Sequence, residues 1–216
     1  MRASNVSHFK TILYSSIMNE NFEKWIAFLK PENLKDNLIC CSIYIAFFET
    51  TKDYIVNQVR DFYSIGWSLE NGDLISDDYK TYVLSKDKDK NPVKASLIWF
   101  KENNAITDED ILVYDELRKY RNVIAHEMLE KLFDGINKDY GEKLNQLVEL
   151  RIKLERWWIF NIEMETGMIE NPENIKEDVI SNSQMIFKLI FDIVSGDEEK
   201  SNYYYNEFMK YKAKNS

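Results

Sequence analysis

The sequence predicts an all-α fold, an antiparallel bundle of five to seven helices. Glycine (6) and proline (3) are scarce among the 216 residues, so turns should be few and the helices long. Along most of the chain apolar residues recur in steps of three and four, which is the spacing of one helix face. Apolar residues make up 44% and charged residues 30% of the chain, a balance typical of globular rather than disordered proteins.

Two long helices are predicted in the first third of the chain. The first covers residues 8–29 and should stop before Pro31, because a residue that precedes proline avoids the helical conformation. The second runs from 34 to 66, where Gly66 is the kind of residue that commonly ends a helix. It should be among the longest elements of the fold.

Residues 67–95 break this pattern and predict an inserted loop. They contain an Asn-Gly pair, an alternating run of lysine and aspartate, and an Asn-Pro pair, all of which favour turns. A short element at 77–84 interrupts the loop, and its type is left open by the pattern. A short helix should follow at 93–105.

The next helix is predicted over residues 108–133 and should end before Gly135. Thr107 lies three residues before the carboxylate of Asp110, a spacing that allows the two residues to cap the start of a helix reciprocally. This helix carries the motif described below.

Three segments complete the chain. A long helix is predicted at 139–165, and a final helix at 172–194, where Pro172 suits the first helical position. The tail at 201–216 is rich in tyrosine, and packing of these rings on the core or on a partner is favoured over base stacking.

We expect one domain over residues 1–216, with a core at about 8–166 and an accessory C-terminal helix and tail at about 172–216. The N-terminal segment is polar and shows no secretion signal, and the longest apolar run is too short to span a bilayer. Cys40 and Cys41 are adjacent, which disfavours a disulfide between them. A cytoplasmic protein without membrane association is therefore expected.

The formal net charge of -9 would repel RNA at long range, so a nucleic-acid function requires a local basic site. No metal and no cofactor are expected, because the two cysteines lack ligand spacing and the only histidines are His8 and His126. No glycine-rich phosphate loop is present. These exclusions leave residues 118–127 as the candidate for chemistry.

This segment places polar side chains along the border of an apolar helix face. Arg118, Asn122 and His126 are four residues apart and form one stripe, whereas Arg121 and His126 diverge by roughly 140°. Residues 123–125 between them are apolar. An imidazole there suits proton transfer near neutral pH, and the planar fork of an arginine suits a phosphate.

The pattern resembles the signature of the HEPN superfamily of helical ribonucleases. Arg121 precedes His126 by five positions, Asn122 directly follows the arginine, and Ala125 directly precedes the histidine. The resemblance implies a metal-independent endoribonuclease that acts as a dimer, with Arg121 and His126 catalytic and Asn122 supporting. Met128 stands where one branch of toxins has a tyrosine, so regulation through modification of that tyrosine is not expected.

The resemblance also implies an acidic residue on the preceding long helix. Glu49 is the candidate, expected to pair with Arg121 or with the further supporting residue Arg118, and Asp53 is nearly as plausible. The implied partners are RNA, a second copy of the chain, and an antitoxin or regulatory protein. Toxin-antitoxin and abortive-infection systems are the settings in which such proteins occur.

A two-fold dimer is expected with the two His126 side chains facing each other, because cleavage benefits from one proton acceptor and one donor. One chain offers only one suitable histidine. The alternative function is that of a non-catalytic helical interaction or regulatory protein with a vestigial Arg-His motif, which the acidic charge balance favours.

Overall fold

A computed structural model describes residues 22–70, 72–135, 139–166, 180–195 and 198–214. Within these ranges the chain forms nine α-helices and one two-stranded antiparallel sheet, so the predicted all-α class is confirmed. The elements are α1 (22–29), α2 (Pro31–Phe62), β1 (Ser64–Ser68), β2 (Gly72–Ile75), α3 (Asp77–Tyr82), α4 (Pro92–Glu102), α5 (Asp108–His126), α6 (Met128–Asp134), α7 (Tyr140–Trp158), α8 (Asn182–Ser195) and α9 (Glu198–Lys214).

Two parts of the predicted helices lie outside the described residues. They are residues 8–21 of the first helix and the start of the final predicted helix at Pro172. In the parts of the chain that are described, no helix is long and apolar enough to cross a membrane.

The long helix α2 begins and ends earlier than predicted. Its first turn contains Pro31, where the missing N–H costs nothing because that group has no partner within a helix. It ends at Phe62, so the predicted end at Gly66 is wrong. Gly66 lies in β1 with a φ of 154°, a conformation that residues with a side chain rarely adopt.

A β-hairpin occupies part of the stretch predicted to be an inserted loop. Trp67 pairs with Asp73 and Ser68 with Gly72 across β1 and β2. Gly72 has a φ of 66°, which a tight connection between antiparallel strands often requires. The element of open type at 77–84 is the helix α3, and a 3-10 turn follows it.

The helix α5 starts as predicted but ends seven residues earlier than predicted. The backbone N–H of Thr107 donates to Asp110 at 2.7 Å, and the N–H of Asp110 donates back to the Thr107 hydroxyl at 3.3 Å. The helix breaks after His126, where Glu127 has φ −108° and ψ 22°. Gly135, with a φ of 86°, ends the short helix α6 instead.

The described residues after position 139 are mostly helical, including a segment for which no helix was predicted. The helix α7 passes into a π-helical turn at Ile159–Glu163, and together they cover residues 140–163 of the predicted span of 139–165. Residues 201–214 of the predicted tyrosine-rich tail belong to the 17-residue helix α9, and residues 215–216 lie outside the described part of the chain.

The chain divides into two compact units, each made of two separate stretches. Unit 1 comprises Met1–Tyr79 and Ile111–Leu147, and unit 2 comprises Lys80–Asp110 and Val148–Ser216. The single-domain organisation stays a prediction.

Each unit has its own set of buried apolar side chains. In unit 1 they come mainly from α2, α5 and α7, and include Tyr44, Phe48, Ile55, Val59, Leu117, Ile124 and Leu147. In unit 2 the ring contacts join α4 to the end of α7, with centroid distances of 5.4–6.3 Å among Trp99, Phe100, Trp157 and Trp158.

Candidate functional site

The candidate site lies in unit 1, where α2 packs against α5. Phe48 of α2 is buried and stacks on Tyr114 of α5, with ring centroids 5.5 Å apart and an angle of 27° between the planes. The hydroxyl of Tyr44 donates to the carbonyl of Leu117 at 3.2 Å. These contacts fix the register of the two helices and bring Glu49, next to Phe48, against the motif helix.

Arg121 is held by two neighbours. One Nη atom forms an ion pair with Glu49, and the other donates to the Oδ1 of Asn122 at 3.1 Å. The arginine and glutamate side chains are each 29% exposed. The guanidinium is therefore half-buried and oriented by a charge on α2 and an amide on its own helix.

One nitrogen of the Arg121 guanidinium makes no hydrogen bond to a described residue. Its Nε is buried and has no hydrogen-bond partner among the described residues. A buried donor without an acceptor is uncommon in folded proteins and costs about 1–3 kcal/mol. The guanidinium thus retains an unused N–H while its other end is anchored.

The carboxylate of Glu49 is shared with a second cation. Lys52, one turn further along α2, donates to the other carboxylate oxygen. Partial burial opposes ionisation of Glu49, but the hydrogen bonds and positive charges of Lys52 and Arg121 outweigh it and lower the pKa of this carboxyl. Two cations share this carboxylate, and a second carboxylate, that of Asp53, lies 4.0 Å from the Nζ of Lys52, so the four side chains carry no net charge.

Asp53, the alternative acidic candidate on α2, does not pair with Arg121. Asp53 has a side chain that is 64% exposed, and it lies 4.0 Å from the Nζ of Lys52. The structure therefore brings Glu49, not Asp53, into an ion pair with Arg121. The supporting role of Glu49 stays a prediction.

His126 does not share this cluster. It is the last residue of α5 and exposed, and its imidazole makes no hydrogen bond or ion pair with any described residue. A separation of five helical residues puts it about 7.5 Å further along the axis than Arg121 and about 140° around it. The helix end leaves its imidazole accessible to a ligand or to a second chain.

The remaining predicted site residue, Arg118, is solvent-facing. Its Nε lies 3.3 Å from Asp115, and the two side chains are 48% and 42% exposed. It sits one turn before Asn122 on the same stripe of α5. Both motif arginines are thus paired with carboxylates in the described part of the chain.

Sequence reasoning missed two residues that complete the surroundings. Lys52 is recognisable in retrospect from its position three residues after Glu49, where helical neighbours meet. Tyr114 is buried beside the arginines, and that burial is the main cause that raises the pKa of its hydroxyl. The tyrosine therefore stays neutral, and no pattern in the sequence distinguishes it from an ordinary core residue.

The side chains of Arg121 and His126 suit anion binding and proton transfer, respectively. An anchored guanidinium is a fixed cation for a phosphate, and an exposed imidazole is a proton donor or acceptor. Within the described ranges, no group of three or more histidine, cysteine or carboxylate side chains is placed to hold a metal ion.

The chain was compared with protein families, curated proteins and solved structures. No family model, no curated protein and no solved structure matches the chain.

Proposed function

We propose that the protein is a metal-independent endoribonuclease of the HEPN type. The observation that carries the proposal is the anchoring of Arg121 by Glu49 and Asn122, three residues that the motif and its resemblance place in one site. A guanidinium fixed before the substrate arrives stabilises developing charge without reorganising during the reaction.

The reaction is an attack of the ribose 2′-hydroxyl on the adjacent phosphate. The bond between the 2′-oxygen and phosphorus forms while the bond to the 5′-oxygen breaks, which gives a cyclic phosphate and a free 5′-hydroxyl. The 2′-hydroxyl loses a proton to a base and the leaving oxygen gains one from an acid. His126 moves these protons, and Arg121 stabilises the charge on the phosphate.

The charges around Arg121 support its proposed role in binding the phosphate. Lys52 contacts Glu49 as well as Asp53, so it partly offsets the negative charge beside Arg121. A local positive charge is what an acidic chain needs at a phosphate site. Arg118 lies on the same helix and supplies a further contact for the RNA backbone.

The proposed partners follow from the resemblance to the HEPN superfamily. They are RNA as substrate, a second copy of the chain, and an antitoxin or regulatory protein that restrains the activity in a toxin or phage-defence setting. Cellular RNA cleavage without restraint would be harmful to the host.

The test is RNA cleavage by the purified chain and by Arg121→Ala, Arg121→Lys and His126→Ala. Each substitution should lower the rate by on the order of 10² or more, and circular dichroism checks that each variant remains folded. Lysine should not replace Arg121, because it lacks the planar fork. Products should end in a cyclic phosphate, and EDTA should not change the rate.

Arg60→Ala is the matched control, because it removes an arginine that pairs with Asp73 at 3.7 Å elsewhere in unit 1. Cleavage that persists in the Arg121 or His126 variants, or that EDTA abolishes, would exclude the proposed mechanism.

A second candidate function is that of a non-catalytic interaction or regulatory protein. The observation that favours it is the pairing of both motif arginines with carboxylates on a chain of net charge -9. In that case the Glu49–Arg121 pair serves to join α2 to α5. The wild-type chain would then cleave no RNA.

A further inference from the structure

A buried ion pair lies in unit 2, apart from the Arg121 site. Arg151 and Glu155 are one turn apart on α7 and are 9% and 4% exposed. The Nε of Arg151 donates to the Oε1 of Glu155 at 2.5 Å. Taking two charges out of water is costly unless further hydrogen bonds compensate. For this carboxylate, the further bonds come from another helix.

Two serines at the start of α8 donate to Glu155. The hydroxyl of Ser181 donates to the Oε2 at 2.5 Å, and the hydroxyl of Ser183 donates to the Oε1. An Nη atom of Arg151 also donates to the Ser183 hydroxyl at 3.4 Å. We call these four side chains the Glu155 latch. Both oxygens of one buried carboxylate of α7 thus hold the start of α8.

The same contacts fix where α8 begins. The backbone N–H of Gln184 donates to the Ser181 hydroxyl at 3.2 Å, and the N–H of Ser181 donates to the Oε1 of Gln184 at 2.8 Å. This reciprocal pair is a capping box. The carboxylate of Glu155 therefore lies beside the positive end of the α8 dipole, which favours a negative charge. Ser181 caps α8 and docks it on α7 with one hydroxyl.

Beyond the latch, α8 and α9 are buried less than the core of unit 2. Among the described side chains of these two helices none is buried, whereas Phe100 of α4 and Leu154 of α7 are fully buried. Hydrophobic stabilisation scales with the apolar area removed from water, so the two helices gain less of it than the core. Segments with few buried apolar contacts open at a lower free energy than the rest of a protein.

The helices α8 and α9 are joined by contacts that do not involve the latch. The hydroxyl of Tyr204 donates to Asp192 at 2.7 Å, and the hydroxyl of Ser201 donates to the carbonyl of Ile193 at 2.7 Å. Because these bonds join α8 to α9 and not to α7, they can persist when the latch is broken. The two helices can therefore move together as one hairpin.

We propose that α8 and α9 form a hairpin that opens from α7 as a unit, and that the Glu155 latch holds it closed. Opening separates Ser181 and Ser183 from Glu155 while α4 and α7 keep their structure. It also exposes the buried pair of Arg151 and Glu155 to water. The proposal concerns unit 2 and does not rest on RNA cleavage.

The first experiment compares the hydrogen exchange of the helices in the full-length chain by mass spectrometry at neutral pH. The amides of α8 and α9 should exchange at least about tenfold faster than those of α4, because the hairpin opens without unfolding the core of unit 2. Exchange of α8, α9 and α4 at one common rate would mean that these helices open only together, and it would overturn the proposal.

The second experiment changes the charge at the latch and keeps the helix cap. Aspartate and asparagine cap helices about equally well, but only Ser181→Asp places a second negative charge against Glu155. It should speed exchange in α8 and α9 by about tenfold or more, because like charges repel strongly at a buried position. Ser181→Asn should stay close to wild type. The control is Ser85→Ala, which removes an exposed hydroxyl that donates to the Thr81 carbonyl and should change exchange in neither helix.

A compensating variant separates repulsion at the latch from a defect in folding. Ser181→Asp combined with Glu155→Gln has one negative charge beside Arg151, as the wild type does, and should restore slow exchange in α8 and α9. Circular dichroism checks that each variant is helical. Equal exchange in the aspartate and asparagine variants, or no recovery in the double variant, would overturn the proposal. So would an increase in Ser181→Asp that is equally large in α4.

Discussion

At the scale of single residues, the Arg121 site depends on how one carboxylate is divided between two cations. Glu49 contacts Lys52 through one oxygen and Arg121 through the other. An exposed ion pair of this kind contributes little to stability, but these side chains are more than two-thirds buried at the glutamate and the arginine. Removing the carboxylate would leave Arg121 without its anchor on α2.

Replacing Glu49 with glutamine should alter the pH dependence of stability. The pKa of Glu49 is lowered in the folded state, so the ionised form stabilises the fold above the pKa of the unfolded chain. That contribution is lost as the pH falls through the lowered pKa. The difference in the free energy of unfolding between wild type and Glu49→Gln should therefore be largest near neutral pH and vanish in acid.

Urea unfolding from neutral pH to about pH 3 measures this difference. The matched control is Glu116→Gln, because Glu116 pairs with Lys143 at 3.0 Å but is 61% exposed. An equal pH dependence in the two variants would show that the Glu49 pair contributes no more than a surface contact.

At the scale of elements, the start of α5 is fixed by a reciprocal pair of hydrogen bonds. Asp110 also pairs with Lys153 of α7 in unit 2. Partial burial opposes ionisation of Asp110, but the bonds from Lys153 and Thr107 outweigh it and lower the pKa of this carboxyl. The helix that carries the motif is thus anchored at the end opposite to His126.

Replacing Thr107 with alanine should lower the free energy of unfolding by about 1 kcal/mol, since it removes the acceptor for the N–H of Asp110. Thermal or urea unfolding measures the loss. Thr166→Ala is the control, because that hydroxyl only adds a bond to carbonyls at a helix end, and its removal should change stability by less than about 0.5 kcal/mol. Equal effects would mean that the cap does not set the start of α5.

The sequence predicts a helix or its end correctly where apolar residues recur periodically or a capping pair is close in the chain. The ends that were predicted wrongly have physical causes. The Thr107–Asp110 cap could be recognised from its spacing alone. The break after His126 could not, because it involves neither proline nor glycine and keeps its backbone bonds, with the N–H of Glu127 on the carbonyl of Val123 at 2.8 Å. The β-hairpin was missed because a glycine that often ends a helix here lies within a strand.

In the candidate site, too, some residues could be proposed from the sequence and others depend on tertiary contacts. A long helix before the motif helix limits the acidic partner of Arg121 to a few residues, so Glu49 could be proposed from the sequence. The choice between Glu49 and Asp53 depends on the register set by Phe48 and Tyr114, a tertiary contact that no local pattern specifies. The participation of Lys52 depends on that choice.

At the scale of the whole molecule, the net charge of -9 opposes RNA binding unless cations are concentrated locally. A two-fold axis beside the end of α5 would bring together Arg118, Lys119 and Arg121 from both chains. It would also supply two histidines, one to accept and one to donate a proton.

We therefore expect a dimer in which the two His126 side chains face each other. In a chain with Cys40 and Cys41 replaced by alanine, His126→Cys should be cross-linked between chains by a short bismaleimide. Asn57→Cys, an exposed position near the C-terminal end of α2, is the control and should not be cross-linked. Cross-linking at neither position, in a sample that sedimentation shows to be associated, would exclude the composite site.

The segregation of tryptophans between the two units has a consequence for optical measurements. In unit 1 Trp25 and Trp67 are 51% and 63% exposed, whereas Trp99 and Trp158 of unit 2 are 6% and 5% exposed and lie in the ring cluster. An indole already in water changes its emission little when the chain unfolds, while a buried one shifts to longer wavelength. Intrinsic fluorescence therefore reports mainly on unit 2, and the integrity of the Arg121 site in unit 1 requires a different probe, such as an indole introduced beside α5.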